Sequence, residues 1–169
     1  MSRGWSPTSG SIWRWRRSTV TGLSCILSGD GPDRKRLEGM AKGNVSFLGR
    51  LEDEEVTGLM SQCRAFVFPG EEDFGITPLE ANAAGRPVIA YQAGGALDTI
   101  IPYVNGVFFF QHQEVDDLLK AIDEVEAYAW DIDQIMGHAR KFDEQAFMVQ
   151  FKQYVEQAYV NFLKRRMKL

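Results

Sequence analysis

The alternation of short apolar runs with helical patterns, which begins near Leu23, constrains the fold of this chain more than any other feature. Such alternation is typical of parallel strands connected by helices that cover the sheet. The predicted strands are residues 23–27, 45–48, 65–68, 88–91 and 106–110. The predicted helices include residues 53–63 and 115–128, where apolar side chains recur at helical spacing. The sequence therefore predicts an α/β fold with a doubly wound parallel sheet of the Rossmann-like type.

Composition and charge exclude several classes of function. A net charge of -4 at pH 7 disfavours nucleic acid as the main partner, because phosphate backbones are bound by an excess of Lys and Arg. No apolar run reaches the roughly 20 residues that span a bilayer. The amino terminus also has no uninterrupted apolar stretch that could act as a signal peptide. We therefore expect a cytoplasmic protein.

The cysteines and histidines do not predict a metal site. Cys25 and Cys63 lie in apolar segments without CxxC or zinc-binding spacing, so both are expected to be buried free thiols. His112 and His138 are isolated and are interpreted as ordinary surface or structural histidines.

Both ends of the chain differ from the predicted domain, which spans residues 23–145. Residues 146–169 repeat apolar side chains at helical spacing and end in a basic stretch, which predicts a terminal amphipathic helix. Basic residues suit the carboxyl end of a helix dipole, and this role is favoured over membrane binding. Residues 1–22 are rich in Trp and Arg, and no acidic residue precedes Asp30. A nucleic-acid-binding arm is one interpretation of that composition.

An acidic loop follows the predicted strand at residues 65–68. Glu71, Glu72 and Asp73 follow that strand after Pro69 and Gly70. Ligands bind at the carboxyl ends of strands in doubly wound sheets, so this loop is a candidate site. Three clustered acids are also compatible with a solvated loop that has no ligand.

The residues after this loop predict the start of a helix. Thr77 is placed as an N-cap, Pro78 at the first helical position and Glu80 at the third, which together form a capping box. Gly85 is placed to end the same helix. A glutamate in a capping box needs no ligand, so Glu80 has a structural as well as a functional interpretation.

A glycine-rich loop follows the predicted strand at residues 88–91. Gly94 and Gly95 have no side chains to keep a ligand away from their backbone. Residues 97–101 are predicted as a short helix whose free amides could hold a phosphate. The glycine pair is also compatible with a tight turn. The functional interpretation gains support because both loops follow strands at the same edge of one sheet.

Glu72 and Glu80 enclose seven residues, and the segment from Glu72 to Ala81 resembles the E-x7-E motif of retaining glycosyltransferases of the GT-B fold. This family, glycosyltransferase group 1 or family 4, includes bacterial mannosyl- and glucosyltransferases. Other family landmarks occur in the right order: Gly29-Asp30-Gly31-Pro32, Asn44-Val45-Ser46-Phe47-Leu48-Gly49, and Gly85-Arg86-Pro87-Val88-Ile89-Ala90 followed by Gly94-Gly95. The resemblance covers about residues 27–125 and implies the carboxyl-terminal, donor-binding half of a GT-B enzyme.

The resemblance implies a role for each matching residue. It places Glu72 beside the transferred sugar as the catalytic residue, and it has Glu80 hydrogen-bond the ribose of the nucleotide. The other implied contacts with the nucleotide sugar are Gly49, Arg50 and Leu51 beside the base, and Phe74, Gly75 and Ile76 at the sugar hydroxyls. The glycine pair Gly94 and Gly95 supplies the predicted phosphate contacts. Asp98 stands where many members carry glutamate, which leaves its role open.

The implied reaction moves a hexose from a nucleotide sugar to a glycan or lipid-linked acceptor with retention of the anomeric configuration, as in polysaccharide biosynthesis. GDP-mannose is the first expected donor and a UDP-hexose the second, and no metal or other cofactor is implied. The family's acceptor site lies on a separate amino-terminal domain, which nothing in this chain resembles. We therefore expect this chain to bind its donor better than it turns over, because closure of two domains completes such a site. Any peripheral membrane contact would come through the full-length enzyme.

Three alternatives stay open. A dinucleotide-binding oxidoreductase is disfavoured because Gly29 and Gly31 are followed by Arg34 where the third fingerprint glycine would fall. A GT-B epimerase acting on sugar nucleotides would share the architecture. A sugar-nucleotide-binding remnant without catalytic activity is also compatible with an isolated donor half.

Residues 1–22 also have an interpretation at the level of the coding sequence. Residues 4–18 can be encoded by codons whose neighbouring frame, one base earlier, gives Arg-Leu-Val-Pro-Tyr-Lys-Arg-Ile-Asp-Leu-Ala-Val-Glu-Ala-Phe. This shifted peptide resembles the family's segment entering the donor domain, whose arginine and lysine grip the nucleotide diphosphate. We therefore hypothesise that residues 1–22 are a frameshifted reading of the family's first strand and helix. The shift would explain the excess of tryptophan and the missing acids.

Overall fold

The computed structural model describes residues 23–110 and 114–166, so the predictions for residues 1–22 and for His112 lie outside the described residues. The strands are β1 (Cys25–Ser28), β2 (Val45–Gly49), β3 (Phe66–Phe68), β4 (Val88–Tyr91) and β5 (Gly106–Phe109). The helices are α1 (Arg34–Met40), α2 (Asp53–Gln62), α3 (Ile76–Ala83), α4 (Ala96–Thr99), α5 (Glu114–Ala127), α6 (Ile132–Ala139) and α7 (Glu144–Arg166). A short 3-10 helix, Arg140–Phe142, separates α6 from α7. Every predicted strand is therefore present close to its predicted position.

The strand ladders are parallel, as predicted, and among the described residues they form two groups. β1 pairs with β2, and β4 lies between β3 and β5. β2 leads to β3 through α2, yet these two strands share no ladder in the part of the chain that the structure describes. The predicted parallel α/β class is confirmed.

The three-stranded sheet carries the main core on its two faces. Val88 and Ala90 of β4 belong to a cluster with residues of α2, α3 and α4, whereas Ile89 belongs to a cluster with residues of α5. All three side chains are at most 1% exposed, as expected for a parallel strand covered on both faces. Burial of a valine or isoleucine side chain contributes about 1.5–3 kcal/mol relative to exposure, so β4 anchors this sheet.

The two-stranded sheet has a smaller core of its own. Leu37 of α1 and Val45 of β2 are buried, and Cys25, Leu27 and Phe47 pack against them. This cluster lies on one face of the β1–β2 pair, because Cys25 and Leu27 alternate with outward residues along the strand. The two sheets are thus supported by separate hydrophobic clusters.

The structure corrects the expectation of buried thiols. Cys25 and Cys63 are both free, as predicted, but each is half-buried. Burial raises the pKa of the Cys63 thiol, with the charge of Arg86 acting in the opposite direction. His138 is buried, and its Nε2 lies 2.9 Å from the carbonyl oxygen of Thr99, as expected for a structural histidine.

The predicted terminal helix is present as α7, but none of its residues is buried among the described parts of the chain. Phe147 and Phe151 stack on its surface with ring centroids 5.6 Å apart. Lys164, Arg165 and Arg166 occupy its last turn, where positive charge interacts favourably with the helix dipole. Within residues 23–110 and 114–166, no helix has the length and apolar character needed to cross a membrane.

Candidate functional site

The acidic loop (residues 70–75, after β3) and the glycine loop (residues 92–95, after β4) meet at the carboxyl edge of the three-stranded sheet. The N–H of Gly95 donates a hydrogen bond to the carbonyl oxygen of Glu72 at 2.7 Å. β3 and β4 are adjacent and parallel, so the loops that follow them emerge side by side. The acidic loop and the glycine loop, which the sequence analysis proposed as separate candidate sites, are therefore in contact. They lie at the edge where ligands bind in doubly wound sheets.

The glycine pair is required by the contact between these loops. A Cβ at Gly95 would lie 2.4 Å from Cα and O of Phe74 and 2.6 Å from O of Asp73. A Cβ at Gly94 would lie 2.4 Å from O of Glu72, and the φ of +56° at Gly94 also favours glycine. The absent side chains therefore admit the backbone of the acidic loop.

The backbone amides of the glycine loop are less open than the sequence suggested. The Gly95 amide donates to the carbonyl oxygen of Glu72, and the Leu97 amide donates to the carbonyl oxygen of Gly94. The short helix α4 is a single turn, Ala96–Thr99, and does not reach its predicted end. Contact of the glycine loop with the phosphates of a nucleotide sugar stays a prediction.

Helix α3 begins two residues earlier than predicted. Gly75 is the N-cap residue with a φ of +77°, and Ile76 is the first helical residue. Thr77 is therefore inside the helix and Glu80 lies in its second turn, so the predicted capping box is wrong. A left-handed glycine turns the chain sharply into the helix. Pro78 is tolerated in the first turn, because the amides there have no intrahelical partner to lose.

A capping box does occur at the start of α2, where sequence reasoning missed it. The N–H of Glu52 donates to the Glu55 carboxylate at 2.9 Å, and the Glu52 carboxylate accepts from the Glu55 amide. Glutamate is not among the usual N-cap residues, which are Ser, Thr, Asp and Asn. Glu80 makes no corresponding capping interaction at the start of α3, so its interpretation as a capping residue is wrong.

The site presents carboxylates together with apolar side chains. Ile76 and Glu80 are one helical turn apart and both exposed, so they share the outer face of α3. Phe74 is 47% exposed and packs edge-on against Phe142 with ring centroids 6.2 Å apart, while Glu72 is half-buried. Carboxylates accept hydrogen bonds from hydroxyl groups, and exposed apolar side chains pack against rings. This combination is suited to a polyhydroxylated ligand.

The remaining predicted contacts lie at the end of β2, in the two-stranded sheet. Gly49 is buried with a φ of +73°, Arg50 is exposed and Leu51 is half-buried. The carbonyl oxygen of Gly49 accepts a hydrogen bond from the amide of Gly29, which follows β1. A Cβ at Gly49 would lie 2.9 Å from Nη1 of Arg34. The structure therefore groups the predicted base contacts with an arginine that sequence reasoning did not select.

Arg34 places a positive charge near the end of β2. Its Nε donates to the Glu38 carboxylate at 2.7 Å, and its Nη1 lies 3.9 Å from the carboxylate of Asp30. The hydrogen bond with Glu38 raises the pKa of Arg34, and the charges of both acids act in the same direction. The signal was available in the sequence, because Asp30 and Glu38 lie four residues before and after the arginine.

A buried network of amide side chains holds α3 in place. Asn105 Nδ2 donates to Asn82 Oδ1 at 2.8 Å, and Asn82 Nδ2 donates to the carbonyl oxygen of Asn105 at 2.9 Å. Asn105 also accepts from the amide of Ile101 and donates to the carbonyl oxygen of Thr99. Asn82 is two residues from Glu80 in the same helix, so this network positions the helix that carries a site residue.

Replacing Asn105 with alanine is expected to lower the free energy of unfolding by about 3 kcal/mol, since buried groups left without partners cost about 1–3 kcal/mol each. Asn161→Ala is the matched control, because the Asn161 side chain is exposed and accepts from Gln157. Its effect should stay within about 0.5 kcal/mol. Urea unfolding measures both variants, and equal effects would contradict the structural role of the network.

The fold and the site together define a class: a parallel α/β domain of the Rossmann-like type with carboxylates at the ligand-binding edge of its sheet. Residues 14–147 match the family described as Glycosyl transferases group 1. This match covers most of the chain. The chain therefore belongs to the glycosyl transferases group 1 family.

Curated relatives include mannosyltransferases. A GDP-mannose-dependent alpha-mannosyltransferase of Mycobacterium tuberculosis (strain CDC 1551 / Oshkosh) is 32% identical over 143 residues, which cover 70% of this chain and 38% of the relative. A protein with the same description from Corynebacterium glutamicum is 38% identical over 86 residues, which cover 50% of this chain and 21% of the relative. This chain thus spans less than half the length of these relatives.

Solved glycosyltransferase structures share the fold. The apo form of the lipopolysaccharide outer core galactosyltransferase WaaB superposes with a TM-score of 0.75 at 19% identity, covering 89% of this chain and 46% of that chain. HepE from Anabaena in complex with UDP-glucose superposes with a TM-score of 0.72 at 24% identity, covering 91% of this chain and 47% of that chain. These likenesses show the fold alone, and they confirm half of a GT-B architecture.

Proposed function

We propose that this chain is the donor-binding half of a retaining hexosyltransferase that takes its hexose from a nucleotide sugar. The observation that carries the proposal is the hydrogen bond between Gly95 and Glu72, which holds the acidic loop against the glycine loop at the ligand-binding edge. Membership in the glycosyl transferases group 1 family supports the reaction class. The acceptor, a glycan or a lipid-linked glycan, belongs to the same proposal.

The proposed roles are those that the resemblance to the family implies for the matching residues. Glu72 lies beside the reacting sugar, where its carboxylate stabilises the positive charge that develops at the anomeric carbon as the nucleotide leaves. Glu80 accepts hydrogen bonds from the ribose hydroxyls on the exposed face of α3. The backbone between Phe74 and Ile76 contacts the sugar, and the end of β2 with Gly49, Arg50 and Leu51 borders the base. Gly94 and Gly95 keep the acidic loop close to the diphosphate.

GDP-mannose is the first proposed donor and a UDP-hexose the second. The two mannosyltransferase relatives described above are GDP-mannose-dependent, which favours GDP-mannose. The structural likeness to HepE in complex with UDP-glucose favours the second. Transfer without a metal is part of the same proposal. Within the described residues, no group of three His, Cys, Asp or Glu side chains could hold a metal ion.

The acceptor domain is a proposed partner. The relatives are more than twice as long as the segment they share with this chain, which supports a second domain. Donor turnover then depends on that domain, because closure excludes water from the reacting centre. A cytoplasmic location and a membrane contact of the full-length enzyme stay predictions from the sequence.

A thermal-shift panel of sugar nucleotides tests the donor. A ligand at 100 times its dissociation constant stabilises the folded chain by about 2.7 kcal/mol, which corresponds to a rise in Tm of roughly 5–10 °C at this size. GDP-mannose should give the largest rise, and Glu80→Gln should reduce it. Glu54→Gln is the matched control, because Glu54 is an exposed glutamate at the start of α2.

The panel also contains NAD and bare mannose. No rise with any sugar nucleotide, or an equal rise with NAD, would contradict the proposal. Supplying an acceptor domain and following the donor then separates the alternatives. Transfer indicates the glycosyltransferase, conversion to an isomeric sugar nucleotide indicates the epimerase, and binding without either reaction indicates the remnant.

A further inference from the structure

Helix α7 carries a stripe of aromatic side chains along one side. This α7 stripe consists of all five aromatic residues of the helix, which are 52–72% exposed: Phe147, Phe151, Tyr154, Tyr159 and Phe162. They recur at helical spacing, and the rings of Phe147 and Phe151 stack on each other. Met148 and Val155 widen the stripe and are also exposed. Exposed apolar patches of this kind mark interaction surfaces.

The opposite side of α7 carries neutral amide side chains. Gln153, Gln157 and Asn161 lie there, and the side-chain amide of Gln157 donates to Oδ1 of Asn161 at 3.1 Å. Helices that lie on a membrane surface carry Lys and Arg along their polar side. Neutral amides in that position favour a protein partner over a lipid surface.

The area of the α7 stripe approaches what a stable dimer needs. An aromatic side chain offers about 150–250 Å², so five side chains that are 52–72% exposed present on the order of 600 Å². Met148 and Val155 are 58% and 46% exposed and add to this area. Stable protein–protein contacts bury about 800 Å² on each partner. A second copy of the same stripe therefore offers a matching surface.

The charges at the two ends of α7 complement those of a second copy that runs in the opposite direction. Asp143 and Glu144 lie at the start of the helix. Arg165 and Arg166 occupy its last turn. The guanidinium carbon of Arg166 lies 5.5 Å from the centre of the Phe162 ring, which places this charge beside the stripe. An antiparallel copy brings each acidic end to a basic end, and it also opposes the two helix dipoles favourably.

The central charges of α7 have the same symmetry. Lys152 and Glu156 are equally far from Tyr154 in the sequence, and both border the stripe. In an antiparallel pair with its twofold axis at Tyr154, Lys152 of each copy lies opposite Glu156 of the other. A parallel pair would place each of these residues beside its own copy, where like charges repel. The charges therefore favour one direction of pairing.

We propose that the α7 stripe is the contact between two copies of this chain, which pair antiparallel about Tyr154. The same surface serves both copies, so the contact closes at two and leaves no stripe free for a third. Most of α7 lies beyond residue 147, where the match to the glycosyl transferases group 1 family ends. The proposal therefore concerns a segment outside that match, and it does not depend on the identity of any donor.

Sedimentation velocity of the full chain over a range of protein concentrations is the first test. The wild-type chain should sediment with twice the mass of one chain and dissociate on dilution. Phe151→Glu should raise the dissociation constant by roughly 100-fold or more, because it buries a charge in the apolar contact once per copy. Gln153→Glu is the matched control, since it adds the same charge on the opposite side and should change the dissociation constant by less than about twofold. Far-UV circular dichroism checks that both variants keep their helices.

Reversal of the central charges is the second test. Lys152→Glu alone and Glu156→Lys alone should each weaken the homodimer by roughly tenfold, because like charges then meet twice in every dimer. An equimolar mixture of these two variants should form a heterodimer with nearly the wild-type affinity. Mixing changes no charge within either helix, so this recovery reports the contact between copies. Both effects should shrink at high salt.

Three results would overturn the proposal. The first is a full chain that stays monomeric at every concentration, whether free or bound to vesicles of anionic phospholipid. The second is a continuous series of larger species, which would mean that the contact does not close at two. The third is an equal dissociation constant for the wild type, Lys152→Glu and the mixture, which would exclude the antiparallel pairing about Tyr154.

Discussion

A methyl group added at Gly95 is expected to separate the two loops of the candidate site and to abolish donor binding. The new Cβ would lie 2.4 Å from Cα and O of Phe74, which are backbone atoms that cannot swing aside as a flexible side chain can. Gly95 has a φ of -63°, which alanine adopts freely, so the effect of Gly95→Ala isolates this contact. Overpacking of this kind costs about 1–3 kcal/mol.

Gly58→Ala is the matched control for that experiment. Gly58 lies in α2, and a Cβ there would meet nothing within 4 Å. The same substitution should therefore stabilise the helix by about 0.5–1 kcal/mol. Urea unfolding and donor titration measure both variants. Wild-type donor affinity in Gly95→Ala would mean that the loops need not be in contact for binding.

The structure also changes the expectation for a larger side chain at the same position. If the Gly95 amide held a phosphate, Gly95→Val would weaken diphosphate binding more than nucleoside binding, because the valine side chain would obstruct the amide. Because the amide is already bonded to Glu72, valine should instead displace the acidic loop and weaken both ligands. Loss of diphosphate affinity alone would restore the interpretation of the loop as a phosphate cradle.

Glu72 and Glu80 are expected to separate by phenotype in an enzyme completed with an acceptor domain. Glu72→Ala should lower turnover on the order of 100-fold to 1000-fold, as removal of a group that stabilises transition-state charge does. Its donor affinity should stay within about twofold. Glu80→Ala should weaken donor binding by roughly tenfold or more, since hydrogen bonds to charged groups contribute about 1.5–3 kcal/mol.

The two variants should not differ from the wild type in stability. A glutamate in a capping box would contribute about 1 kcal/mol, but Glu80 caps no helix end, so Glu80→Ala should leave the free energy of unfolding nearly unchanged. Glu71→Ala is the matched control, because Glu71 is an exposed acid beside Glu72 in the same loop. Steady-state kinetics, donor titration and urea unfolding give the three measurements. Small and equal effects of Glu72→Ala and Glu80→Ala on all three would remove both residues from the site.

Local patterns were sufficient to predict much of the fold. The strand at residues 88–91 was predicted with its observed bounds, because a short apolar run between Arg86-Pro87 and a glycine loop has few other interpretations. Gly85 was predicted to follow α3 and has the expected left-handed conformation. These predictions depend only on neighbours in sequence. The carboxyl-edge position of the acidic loop followed from the same strand assignments.

By itself, the sequence determined the parallel α/β class, the order of the elements and the family. Local periodicity indicates the class and the order, and contiguous motifs such as the segment from Glu72 to Ala81 indicate the family. Tertiary structure alone decided that Gly95 serves the acidic loop and that Asn82 and Asn105 bond to each other. Both are contacts between residues more than 20 positions apart. The physical reason is that a missing side chain or a buried amide has no defined partner until packing brings distant segments together.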